Sequence, residues 1–224
     1  MITRIEIATQ GGPAAAELVL PEGDAMVPGI VVVHEWWGIN EDIRRLLGRF
    51  AAEGIAALAV DLYGGRSTTD PMQAMELANE MRTPRALEII GAGASLLATH
   101  PRANGKVAVT GFCLGGGMAL AAACNLPTLS AAVPFYGTPK DEYGNGWQTR
   151  VPILGHYATS DNFVSIDRVR GIAKAVNVAG GSFELCEYEG GHAFMREADP
   201  AAYHEPSATL AWERTRMFLR RHLG

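Results

Sequence analysis

GIVVV, residues 29–33, is apolar at every position, and no alternation marks one of its faces as wet. A strand of that kind must be covered on both sides, as in a parallel sheet with helices above and below it. The next segment supplies a cover: EDIRRLLGRFAAEG puts Ile43, Leu46, Leu47 and Phe50 on one helical stripe, with Gly54 as a stop. IAALAVDLY is a second strand, and the region from Asp70 to His100 has helical periodicity with a break near Thr83-Pro84. GKVAVTGF and LGGGMALAAAC repeat strand then helix. LSAAVPFYG, VPILGHYA, a helical stretch near Val164–Val178, SFELCEYE and a final helix over Ser207–His222 complete the series. In that helix Leu210, Ala211, Met217 and Phe218 read as the buried stripe. At the other end, IEIA and ELVLP flank the turn signal GGP and read as an edge hairpin. The alternation implies an α/β fold with one mostly parallel sheet. With no linker and no internal repeat, residues 1–224 read as one domain.

Composition removes several classes of function. A formal net charge of −5 argues against a nucleic-acid surface, which needs a basic face. No stretch approaches the roughly 18 apolar residues of a membrane span. The start, MITRIEIATQGG, is too polar for a signal-peptide core. The 3 cysteines, Cys113, Cys124 and Cys186, are odd in number and widely spaced, so neither a disulfide framework nor a zinc site is expected, and a cytoplasmic location is.

In open α/β sheets, sites gather beyond the carboxyl ends of the strands. The polar residues found there are His34-Glu35, Asp61, Cys113, Tyr136, Asp161 and His192. Cys113 sits in GFCLGGG, between a valine-rich strand and an alanine-rich helix. Glycines on both sides allow a tight corner that pushes the sulfur out over the sheet edge. The helix start favours a thiolate, and its free N–H groups can hold an oxyanion. A nucleophile, an acid and a histidine then follow in the order Cys113, Asp161, His192. In such an arrangement Asp161 holds His192 in one tautomer and His192 moves the protons.

Taken together, HEWWGIN, DLY, NGKVAVTGFCLGG, SDNFV and GGHAFMR span almost the whole chain. A sequence carrying them resembles the dienelactone hydrolases (carboxymethylenebutenolidases) of the α/β-hydrolase superfamily. The resemblance implies a Cys113–His192–Asp161 triad and an oxyanion hole from the N–H groups of Trp36 and Leu114. It also implies that Glu35 accepts a hydrogen bond from the resting thiol and takes its proton when substrate binds. Screening by Trp36 and Trp37 would raise the pKa of that carboxylate. Arg196, four residues after the histidine, matches one of two arginines that hold a substrate carboxylate. The position expected for the other carries Leu77, leaving Arg66, Arg82 or Arg85 as substitutes out of register.

The nucleophile itself limits the substrate. A thiolate leaves a tetrahedral intermediate more readily than an alkoxide, so plain alkyl esters fall back, whereas enol lactones and activated esters go forward to a thioester. Hydrolysis of dienelactone-type enol lactones is therefore the first expectation. Carboxylester hydrolysis without a carboxylate requirement is the second, and a thiol-redox or non-catalytic module the remote third. Trp37 and Tyr136 are expected to wall the pocket, whereas His156, Cys124 and Cys186 read as packed core and Asp61 as a structural strand-end carboxylate. No metal or organic cofactor is expected, and the partners reduce to a small lactone or ester, with a monomer or weak homodimer.

Overall fold

The computed structural model describes residues 1–224. Its first two strands, β1 (Thr3–Ile7) and β2 (Ala14–Val19), form the expected antiparallel hairpin. Then come β3 (Val27–Val33), α1 (Glu41–Ala52), β4 (Ala56–Val60), α2 (Pro71–Glu80) and α3 (Thr83–Ala98). The second half holds β5 (Ala103–Phe112), α4 (Leu114–Asn125), β6 (Ala131–Phe135), β7 (Ile153–Ala158), α5 (Ile166–Val178), β8 (Phe183–Tyr188) and α6 (Glu205–Leu223). All eight strands share one sheet in the order β1-β2-β4-β3-β5-β6-β7-β8, parallel from β4 through β8. The α/β expectation holds. No helix is long and apolar enough to cross a membrane.

Local chemistry explains the element ends. Asn40 caps α1 by accepting from the Ile43 N–H at 3.2 Å. Asp70 does the same for α2 through the Gln73 N–H at 2.9 Å, with Pro71 in the first helical position. Between α2 and α3 the chain turns extended at Met81 and Arg82, just before Pro84, as the sequence suggests.

Unbroken apolar strands are buried on both faces, and successive residues serve opposite cores. Val31, Val33, Leu58, Val60 and Val109 pack with α3, α4 and α5. Ile30, Val32, Ala57, Ala59 and Ala108 pack with α1 and α6. In α1, Ile43, Leu47 and Phe50 are buried and Leu46 lies half-buried beside them.

The final helix departs from expectation. Ala211 and Phe218 are buried, but Leu210 and Met217 are 40% and 58% exposed. Thr215 takes the inner face instead, donating to Ala211 O and lying 3.0 Å from His156 Nε2. A polar residue is stable there because His156, itself fully buried and 2.8 Å from the Tyr188 hydroxyl, gives it a partner. Cys124 is buried as expected, whereas Cys186 on the edge strand β8 is only half-buried.

After β4 the chain crosses back over β3 to enter β5, so the strand order reverses between β3 and β5. Val33 pairs with Gly111, and Phe112 with Phe135. The ends of β3, β5 and β6 are thus level, and the residues just beyond them share one rim.

Candidate active site

Cys113 lies at the corner from β5 into α4 with φ +53° and ψ −115°, a conformation costly for a residue with a Cβ. The corner is held by close backbone packing. A Cβ on Gly115, in the first turn of α4, would collide with the Val33 carbonyl of β3. The helix is thereby drawn down onto the sheet, which leaves the cysteine raised at the rim. Tyr136 (φ +35°) and Ala193 (φ +61°) are strained in the same sense at the same rim. Such strain persists only where surrounding structure fixes it, and it concentrates at functional sites.

The rim gathers the three groups singled out in the sequence. His192 Nε2 lies 3.0 Å from Cys113 Sγ, and His192 Nδ1 lies 2.8 Å from Asp161 Oδ2. The Asp161 side chain is 1% exposed, and its other oxygen accepts from the N–H groups of Phe163 (2.7 Å) and Val164 (3.0 Å). Burial disfavours the Asp161 charge, but hydrogen bonds from His192, Phe163 and Val164 outweigh it and lower the pKa. Burial likewise opposes a charge on His192. Its hydrogen bonds to Asp161 and Cys113, and the charges of both, prevail and push its pKa up to about 10. The ring is packed between Tyr136 (centroids 5.2 Å) and Phe163 (4.8 Å).

Glu35 stands beyond β3, 7% exposed. Its pKa is raised because burial outweighs the opposing charges of Arg196 and His192. The Tyr136 hydroxyl donates to Glu35 Oε1 at 3.4 Å. The thiol lies against His192, and the hydrogen-bonding partner of Glu35 is Tyr136. His34 fixes the backbone behind Glu35. The Leu62 N–H donates to His34 Nε2, so Nδ1 carries the proton and donates to Glu35 O at 2.5 Å. His34 is fully buried and burial lowers its pKa, which suits a neutral ring tying the ends of β3 and β4 together.

Arg196 stacks over Trp37 (4.9 Å to the centroid) and lies 3.7 Å from both Asp42 Oδ2 and Asp199 Oδ2. The three suggested second arginines are placed elsewhere. Arg85 holds the β1–β2 turn through Thr9 and Gly12 and pairs with Glu88. Arg66 pairs with Glu80 at 2.6 Å, and Arg82 lies exposed at the start of α3. Asp61 accepts from the Tyr63 and Gly65 N–H groups, a structural role. A groove of about 390 Å3 opens beside the triad rather than over it, lined by Glu35, Tyr136 and Arg196 but by neither Cys113 nor His192. No motif or periodicity along the chain points to it. No set of three or more His, Cys, Asp or Glu side chains is arranged to hold a metal ion.

Comparison with known proteins gives a consistent result. The model of the Dienelactone hydrolase family matches residues 14–223. "Protein usf" of Aquifex pyrophilus is 36% identical over 208 residues, covering 88% of this chain and 89% of that protein. A provisionally named carboxymethylenebutenolidase of Aquifex aeolicus is 34% identical with the same coverage. Among solved structures, a provisionally assigned dienelactone hydrolase from Klebsiella pneumoniae superposes with a TM-score of 0.86 at 30% identity, covering 96% of each chain.

Proposed function

Since this chain belongs to the dienelactone hydrolase family, we propose that it cleaves enol lactones or activated esters through a thioester acyl-enzyme. The observation that carries the reading is the continuous Sγ–imidazole–carboxylate line, 3.0 Å and then 2.8 Å, at the rim of the sheet.

The thiolate of Cys113 attacks the carbonyl carbon while His192 holds the proton. The N–H groups of Trp36 and Leu114 hold the oxyanion, the second of them at the start of α4, where the helix dipole adds to it. Collapse of the intermediate breaks the carbon–oxygen bond, and the departing enolate takes the proton from His192. Water then attacks the thioester, gives a proton to His192, and the sulfur leaves as thiolate. Asp161 keeps the ring oriented throughout and stabilises its charged form. Glu35, whose pKa is raised by burial, accepts from the Tyr136 hydroxyl and holds that ring beside His192.

A second reading, activated aryl or short-chain esters with no carboxylate required, is favoured by the surroundings of Arg196. That side chain already has two acidic neighbours and an aromatic face, and of the candidate second arginines Arg66 and Arg85 are paired with Glu80 and Glu88. The Arg196→Ala variant separates the two readings. A rise in KM of tenfold or more for a carboxylate-bearing lactone, about 1.4 kcal/mol, supports the first, and an unchanged KM supports the second. The hydrolase assignment itself is tested by Cys113→Ala. Turnover and the acyl-enzyme mass adduct should both disappear while the melting transition persists, and retained hydrolysis of a dienelactone would overturn it.

A further inference from the structure

The groove beside the triad is lined from Asp42 in the first turn of α1 to Ala52 at its last residue, a run of about 15 Å along the helix axis. Its volume of about 390 Å3 falls in the range of small-molecule sites. Two of the arginines in its lining are satisfied within the protein. Arg45 pairs with Asp42, and Arg49 pairs with Glu197 at 3.4 Å and lies over Trp212 at 4.1 Å. Leu46, Ala52 and Met195 give it apolar surface, and it is bounded by Glu35, Arg196 and the buried Tyr136, which packs on His192.

Gly48 is the informative residue. It sits inside α1, where glycine is a poorer helix former than alanine. A Cβ there would meet nothing within 4 Å, and its φ is not in the left-handed region. Neither packing nor backbone conformation therefore requires glycine, yet it lines the groove. We propose that this groove is the subsite for an elongated apolar acyl group of the ester that Cys113 cleaves, and that Gly48 keeps it open. The proposal rests on the hydrolase reading above and names the substrate part that reading leaves unspecified. The apolar surface that α1 presents along the groove argues for a neutral chain.

The test uses p-nitrophenyl acetate and p-nitrophenyl octanoate, which share a leaving group and differ only in acyl length. Wild type, Gly48→Ala and Gly48→Leu are compared, with melting curves to show that each folds. Gly48→Ala, which adds one carbon in open space, serves as the folded control. Gly48→Leu should lower the octanoate-to-acetate ratio of kcat/KM at least tenfold. Free octanoate should inhibit wild type competitively, and its binding by calorimetry should weaken at least tenfold in Gly48→Leu. An unchanged ratio, a wild type that turns over acetate but not octanoate, or non-competitive inhibition would each overturn the subsite. Absence of turnover with every ester would count against the hydrolase reading, and octanoate calorimetry on Gly48→Leu would still test the groove.

Discussion

Replacing Asp161 by asparagine preserves the shape of the side chain and removes its charge, and the surrounding hydrogen bonds dictate the consequence. One Asp161 oxygen accepts from the Phe163 and Val164 N–H groups, so the single oxygen of asparagine must occupy that place. Its NH2 then faces His192 Nδ1, which has to present a lone pair and carry its proton on Nε2, toward the sulfur. The ring can no longer take a proton from the thiol or from water. The lost charge adds to this. The rise of the His192 pKa from 6.5 to about 10 amounts to roughly 5 kcal/mol in favour of imidazolium, at about 1.4 kcal/mol per pH unit. Asp161 shares that effect with Cys113, so part of it goes with the carboxylate. Together with the inverted tautomer, kcat should fall about a thousandfold to ten-thousandfold, as in serine triads. Stopped-flow measurement with p-nitrophenyl acetate, beside a melting curve, gives both the burst and the steady rate. A folded Asp161→Asn enzyme within tenfold of wild type in kcat would refute the assignment of Asp161 as the orienting acid.

Three further outcomes are expected. Glu35 has its pKa raised by burial, so the folded state binds the extra proton and stability falls as pH rises from 4.5 through the folded value. Glu35→Gln should therefore melt above wild type at pH 8, each kcal/mol being worth about 2–4 °C, with the gap closing by pH 4; a gap independent of pH would contradict this. At Cys113, φ +53° makes glycine the better replacement: Cys113→Gly should exceed Cys113→Ala in urea-unfolding stability by about 1–2 kcal/mol, the reverse of the usual order, and an alanine variant of equal stability would show that the corner is unstrained. Thr215→Val strands the buried His156 Nε2 and should cost about 1–3 kcal/mol by the same measurement, whereas a neutral effect would mean that His156 finds another partner.

The sheet was legible because its strands are apolar enough to leave no ambiguity: GIVVV and IAALAV could be buried only from both sides. The triad was legible because a nucleophile, an acid and a histidine each follow a strand, and parallel strands deliver their ends to one rim. Thr215 was not legible, since a lone hydroxyl reads as surface until His156, 59 residues away, is known to face it. Leu210 and Met217 were misassigned for the complementary reason: α6 has apolar residues on more than one side, and only contact with β5, β6 and β7 selects the inner one. The groove depends on how α1 meets residues 195–197, and no periodicity along either segment encodes that approach.

Cys113, Asp161 and His192 come from beyond three separate strands, and the last of them follows β8 at the far edge of the sheet. Until β8 has docked against β7, the sulfur has no imidazole beside it and remains an ordinary thiol. The reactive centre is thus complete only when the far edge of the sheet is in place.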